Sequence, residues 1–232
     1  MAKKREKEQK SPLLQVALDF EILDDALAIS EEVAPFVDIV EAGTPLIKSE
    51  GMRAIRTLKD AHPDKLVCAD LKTADAGYLE VRMAAKAKAD IVTVLADAYN
   101  ITIIEALRAS YEFHVEIMTD LIMSRQPSKR LAELIDLNYK GTKVHYGLVH
   151  SGLDVQASRR APLLELESVT NLQDHPRLAV AGGIQVTDIS KLVAYPLEII
   201  IVGGGITRAK NPKIAAERFQ KAIYKNYRQN TP

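Results

Sequence analysis

The 232-residue chain contains no tryptophan, one cysteine and only 5% aromatic residues, and neither sign of charge is in excess. Each shortage excludes something. A single thiol, Cys68, cannot form a disulfide within the chain, so a small disulfide-stapled fold is ruled out and a reducing, cytoplasmic setting is expected. Lysine plus arginine equals aspartate plus glutamate, 31 against 31. Nucleic acid or an anionic membrane as the main partner calls for a basic excess, so neither is expected. No apolar run approaches the roughly 20 residues of a membrane span. What is present is globular in composition: 47% hydrophobic and 27% charged residues reject wholesale disorder. An α/β barrel takes about 250 residues, so the length admits one closed barrel or two small domains.

Residues 1–12 read as a separate basic tail or linker, and residues 13–232 as one domain. Met1–Ser11 holds five Lys or Arg against two Glu, a net +3 that leaves the rest of the chain near −3. No apolar segment follows it, which argues against a secretory signal. Short tails of mixed sign are usually solvated, and a fusion linker is the other reading.

From Leu13 onward one rhythm repeats. Eight short apolar or β-branched runs read as strands: Leu14–Asp19, Asp38–Ala42, Leu66–Leu71, Ile91–Leu95, Glu116–Leu121, Lys143–Val149, Arg177–Ala181 and Ile199–Val202. Segments of helical composition lie between them, among them Asp24–Val33, Gly51–Ala61, Tyr78–Lys88, Thr102–Tyr111, Ser128–Asp136 and Lys213–Lys225. Alternating strand and helix signals predict parallel βαβ units. Continuous apolar strands such as Ile199-Ile200-Ile201-Val202 suit a sheet covered on both faces. Eight repeats point to a closed (β/α)8 TIM barrel, with a doubly wound open sheet as the alternative.

Active sites of such barrels lie at the C-terminal ends of the strands. The polar residues that end the apolar runs are Asp19, Glu41, Asp70 with Lys72, Asp120 and His150. Any one of them also suits a helix cap, a turn or a solvated rim charge. Together at corresponding positions they suggest a site, and carboxylates crowded at a barrel mouth need a cation or a lysine among them. The densest group is Asp70-Leu71-Lys72-Thr73-Ala74-Asp75. Residues two apart on a strand share a face, so Asp70 and Lys72 should project together. Acids on either side should keep Lys72 protonated, a cation rather than a Schiff-base amine. The remaining histidines, His62, His114, His145 and His175, look incidental. Gly182-Gly183 after the seventh strand and Gly203-Gly204-Gly205 after the eighth stand where many barrels bind phosphate through backbone N–H groups. A plain tight turn is the other reading of each.

Asp70-x-Lys72-x-x-Asp75 after a third strand resembles the signature of the orotidine 5′-phosphate decarboxylase suprafamily. The resemblance runs from Leu14 to about Ile223. Leu14–Asp19, Glu41-Ala42-Gly43-Thr44-Pro45-Leu46-Ile47, Ala69–Thr73, Ala89–Leu95, Val149–Asp154, Ala179–Ile184 and Val202–Thr207 are similar to the 3-hexulose-6-phosphate synthases. The metal-dependent 3-keto-L-gulonate-6-phosphate decarboxylases are the nearer alternative within the suprafamily. They usually carry Glu at the position of Asp120, Arg at that of Leu153 and Arg at that of Gly204, so these positions resemble the synthases. The chain departs from them in Ala96-Asp97-Ala98-Tyr99, which lacks a glycine common there, and in Ser151 for Thr.

The resemblance implies a metal-dependent, reversible aldol condensation of D-ribulose 5-phosphate, a sugar phosphate, with formaldehyde through a 1,2-enediolate. It implies Glu41 and Asp70 as ligands of magnesium (Mg2+), with manganese (Mn2+) as the alternative, and residue chemistry agrees. Neighbouring strands are about 4.8 Å apart, so two carboxylates at their ends can share one hard cation. Lys72 then steadies the developing anion and His150 moves the proton at carbon one. Asp19 and Asp120 are implied as substrate-binding residues, and Gly182, Gly183, Gly203 and Gly204 as the phosphate site. The relatives pair as homodimers with composite active sites in which the counterpart of Asp75 enters the partner's site. Ala76-Gly77 after it are small enough for another backbone to come close. A non-catalytic sugar-phosphate binding barrel is the reading from a different class.

Overall fold

The computed structural model describes residues 11–152, 154 and 163–230. Residues 1–10 of the basic tail, and Leu153, lie outside the described residues. The strands are β1 (Leu13–Leu18), β2 (Ile39–Ala42), β3 (Leu66–Thr73), β4 (Ile91–Leu95), β5 (Glu116–Asp120), β6 (Asn138–Tyr139), β7 (Thr142–Lys143), β8 (Tyr146–His150), β9 (Arg177–Ala181) and β10 (Leu197–Val202). Eight of them close a parallel barrel in the order β1-β2-β3-β4-β5-β8-β9-β10, with β10 paired back to β1. It is the (β/α)8 barrel expected from the strand–helix rhythm, not an open sheet.

Covering helices include α1 (Leu23–Val33), α2 (Thr44–Glu50), α3 (Met52–Ala61), α4 (Gly77–Lys86), α5 (Asn100–Phe113) and α6 (Pro127–Ile135), and the helix Pro212–Asn230 follows the last strand. Outward strand residues such as Leu14, Val16, Val40, Val67 and Val92 pack beneath the helices in one apolar layer. Inward residues Ile39, Cys68, Ile91, Met118, Leu148 and Ile199 fill the barrel itself. Burial on both faces is why the strands lack polar alternation.

On five of the eight barrel strands the inner face changes character two residues further along. Ile39 is followed on that face by Glu41, Cys68 by Asp70, Ile91 by Thr93, Met118 by Asp120 and Leu148 by His150. The side-chain period of a strand is two, so an apolar plug below carries a polar floor above. On these five strands that alternation carries the polar residues.

Two local expectations need correction. The sixth strand was predicted over Lys143–Val149, but Lys143 belongs to the small antiparallel pair β6–β7, and the barrel strand begins at Tyr146. The cause is Lys140-Gly141, both at positive φ (49° and 86°), which makes the two-residue turn that closes a hairpin. Gly77 serves contact within the chain: a Cβ there would strike the Thr102 carbonyl oxygen and lie 2.9 Å from the Ala106 nitrogen. The backbone that needs the small residue is that of α5.

Candidate active site

A cavity of about 910 Å³ opens at the C-terminal ends of the strands. Asp19, Glu41, Asp70, Lys72 and His150 line it, together with Gly182, Gly183, Gly203 and Gly204. Two predicted site residues are elsewhere. Asp120 has no exposed surface and is not in the cavity lining, and Asp75 is exposed in the loop before α4, outside the cavity.

Asp70 and Lys72 meet as expected, with Lys72 Nζ 2.5 Å from Asp70 Oδ2, but regular strand alternation is not what brings them together. The register between β3 and β4 shifts between Ala69 and Thr73, and Lys72 adopts φ 48°. That left-handed conformation costs a lysine roughly 1–2 kcal/mol. Thr93 holds it: its hydroxyl accepts the Lys72 N–H at 2.9 Å and donates to Asp70 Oδ1 at 2.8 Å. Thr44 Oγ1 donates to the other oxygen of Asp70 at 2.7 Å. Burial disfavours ionised Asp70, but the Lys72 ammonium and these hydrogen bonds outweigh it and keep its pKa below the usual carboxylate value. Burial likewise disfavours charged Lys72, yet Asp70 and Asp120 raise its pKa above that of an ordinary lysine. Lys72 is a fixed cation.

Glu41 is in the opposite position. Burial first, then the charges of Asp70 and Asp19, push its carboxyl well above the usual range. Asp19 is also raised, by burial and then by Asp70. Three carboxyl groups thus converge around one lysine. Gln15 Nε2 donates to Glu41 Oε2, while Gln15 Oε1 is buried without a hydrogen-bond partner. A buried orphan of this kind costs about 1–3 kcal/mol.

This donor set fits a hard divalent cation: the atoms are oxygens, the charge deficit is positive, and one amide oxygen is unsatisfied. Among the described residues no three His, Cys, Asp or Glu side chains are grouped to hold a metal ion. Magnesium does not need such a cage, since it is held through one or two carboxylates with waters and substrate oxygens completing the shell.

On the far side of Lys72, Asp120 Oδ2 lies 3.0 Å from His150 Nδ1 and 3.6 Å from Lys72 Nζ. The amide of Ile122 donates to Asp120 Oδ1 at 2.9 Å and completes its fixation. Asp120 therefore stands beside two cavity residues, His150 and Lys72. The histidines read as incidental are structural where they are bonded: His62 Nε2 pairs with Ser30 Oγ at 2.8 Å, and His145 Nδ1 accepts the Ile117 N–H at 3.1 Å.

At the opposite wall, Gly182 and Gly183 have φ 106° and 64°. A Cβ on Gly182 would strike the Ser151 carbonyl and lie 2.8 Å from the Ser151 nitrogen, so the turn after β9 admits only glycine. Cavity residues that sequence reasoning missed are Gln15, Thr44, Lys48, Thr93 and Arg208. Gln15 and Thr93 share the inward parity of Ala17 and Ile91, a signal that was available. Arg208 had none.

A barrel with this floor of acids around a lysine matches a known family model, that of orotidine 5′-phosphate decarboxylase / HUMPS, over residues 12–219. The chain belongs to that family. It is 39% identical over 212 residues to the 3-hexulose-6-phosphate synthase of Mycobacterium gastri, a match covering 90% of this chain and 99% of that protein. The 3-hexulose-6-phosphate synthase of Bacillus subtilis (strain 168) is 35% identical over 210 residues, with 90% and 98% covered. Among solved structures, a crystal structure of 3-hexulose-6-phosphate synthase superposes with a TM-score of 0.85 at 39% identity, covering 91% of this chain and 99% of that one. KGPDC from Streptococcus mutans in complex with D-R5P gives a TM-score of 0.86 at 29% identity, covering 94% and 100%. Among these relatives, sequence identity is higher to the synthases than to KGPDC.

Proposed function

We propose that this barrel is a 3-hexulose-6-phosphate synthase, an aldolase-type lyase that joins D-ribulose 5-phosphate to formaldehyde and reverses the reaction. The observation that carries the reading is the Lys72 ammonium, bonded to Asp70 and facing the same cavity as His150. Glu41 and Asp70 are the residues to hold the cation, with magnesium preferred and manganese the alternative. When bound, it supplies Lewis-acid polarisation of the sugar's carbonyl oxygen.

His150 takes the proton from carbon one through Nε2, since Nδ1 faces Asp120. Lys72 lies beside the enediolate oxygens and offsets the charge that forms there. Carbon one then bonds to the formaldehyde carbon. The proton taken from carbon one returns to the former formaldehyde oxygen, so the net reaction neither consumes nor releases protons. Asp19 binds sugar hydroxyls, and the turns at Gly182-Gly183 and Gly203-Gly204 receive the phosphate.

The same reading makes the protein a homodimer with composite active sites. Asp75 lies outside its own cavity and beside α4, whose Leu79 and Met83 are exposed apolar residues. Tyr99 (83% exposed) and Ile101 add to the same region at the start of α5. An apolar surface around an unused acid suits a second copy of the chain. Among the described residues no helix is long and apolar enough to cross a membrane, and the buried single thiol suits the cytoplasm.

The deciding experiment measures hexulose phosphate formation from ribulose 5-phosphate and formaldehyde with magnesium, beside carbon dioxide release from 3-keto-L-gulonate 6-phosphate. Condensation with little decarboxylation is expected. Decarboxylation alone would reassign the enzyme, and neither activity would leave a binding barrel.

A further inference from the structure

We propose that Arg208 is the charged anchor for the substrate's phosphate, reaching it across the bare backbone of Gly204. The proposal rests on the sugar-phosphate reading above and names a side chain that the reading does not use. Arg208 follows the short helix Gly204–Thr207, and its amide donates back to the Gly204 carbonyl at 3.2 Å. Its side chain folds over that same glycine. A Cβ built on Gly204 would fall inside the guanidinium, 2.5 Å from Nε and 2.6 Å from Cζ. Gly204 is not among the residues with positive φ, so backbone conformation does not demand a glycine there. A side chain there would meet only the far end of Arg208 and would turn the guanidinium out of its place.

The guanidinium faces the cavity on the wall that also carries Gly182, Gly183, Gly203 and Gly205. It has five N–H donors in a planar fork, yet it makes no hydrogen bond or ion pair with any described residue. Asp19 is near enough for the two charges to interact without being bonded to it. Arg208 is exposed, so water can serve its donors and an anion entering the cavity would displace that water. Its guanidinium lies over a side-chain-free stretch of backbone at the cavity wall. A planar, permanently charged fork of this kind matches the oxygens of a phosphate in bidentate fashion, which a lysine cannot do.

An anchor at the end of the substrate remote from the reacting carbon acts in the ground state and the transition state alike. Its loss should raise KM and leave kcat nearly unchanged. Phosphate affinity tests it without any turnover. Titration calorimetry with inorganic phosphate and with ribulose 5-phosphate would compare the wild type, Arg208→Ala, Arg208→Lys, Gly204→Ala and the double variant. Losing a charge-assisted pair should weaken both ligands by about tenfold or more in Arg208→Ala, with a partial loss in Arg208→Lys. Gly204→Ala, which pushes the guanidinium aside, should weaken them similarly, and the double variant should be no worse than Arg208→Ala alone. Wild-type phosphate affinity in Arg208→Ala, or fully multiplicative effects of the two substitutions, would overturn the proposal. So would a wild type that binds neither ligand. Arg208-dependent phosphate binding in a protein without condensation activity would keep the anchor and defeat the proposed reaction.

Discussion

The carboxylate of Asp120, which has no exposed surface, sits 3.0 Å from Nδ1 of His150, leaving Nε2 as the ring nitrogen turned to a ligand. A carboxylate so placed selects the tautomer with the proton on Nδ1 and stabilises the imidazolium formed when Nε2 takes a proton. Asp120→Asn keeps the shape but can donate to Nδ1 instead of accepting from it. Exchange of the carbon-one proton of ribulose 5-phosphate with solvent should fall about a hundredfold. Wild-type exchange in that variant, or in His150→Asn, would place the proton transfer on another group.

Magnesium should stabilise the fold through Glu41 and Asp70. At a hundredfold excess over its dissociation constant a ligand contributes about 2.7 kcal/mol, and a chain of this size gains about 2–4 °C in Tm per kcal/mol. A rise of about 5–10 °C is expected for the wild type and little change for Asp70→Ala or Asp70→Asn. Glu41→Gln removes a buried carboxyl burdened by Asp70, so this variant should melt above the wild type without magnesium and lose its response to the ion. A full magnesium response in Asp70→Asn would remove Asp70 from the metal site.

If Asp75 works in the partner's cavity, Lys72→Ala and Asp75→Ala protein should each be inactive alone and regain activity when mixed. In such a heterodimer one of the two sites recovers both groups, so about a quarter of wild-type activity is the upper bound for an equal, freely exchanging mixture. Exchange of subunits demonstrated by labelled chains, without recovered activity, would defeat the shared site.

At the closed end of the barrel Glu116 accepts from the Tyr146 hydroxyl at 2.7 Å and from Arg177, whose guanidinium lies 3.9 Å from the Tyr146 ring centroid. Burial raises the Glu116 carboxyl, but these two partners outweigh it and hold it below its ordinary value of 4.5. A depressed carboxyl contributes stability that is complete above pH 4.5 and lost as pH falls through the folded-state pKa. The group is partly exposed, so the contribution is about 1 kcal/mol or less. Thermal melts from pH 7 to pH 3 should show Glu116→Gln less stable than the wild type at neutrality, with the gap closing below pH 4.5. A gap that is constant with pH would assign the effect to packing.

The barrel was legible in the chain because the barrel strands are buried on both faces and alternate with helices, so composition marks most of the elements. The polar floor was legible for a related reason. Asp19, Glu41, Asp70, Asp120 and His150 each end an apolar strand, and strand ends of a closed barrel converge whatever the loops do. The short helix α2 was not anticipated: it begins at Thr44-Pro45, directly after β2, where no helix was expected.

What the tertiary structure alone decided is how the charges divide. Asp120 and Asp70 look alike in sequence, yet one has no exposed surface and the other lines the cavity. Lys72 reaches Asp70 only because the hydroxyl of Thr93, on the next strand, holds its backbone in a left-handed conformation. Gln15 ends with one partner and one orphaned oxygen because Glu41, 26 residues later, stands beside it. Strand periodicity is a local property and is written in consecutive residues. Hydrogen-bond partners and desolvation are set by atoms brought together across the barrel, and no stretch of sequence carries them alone.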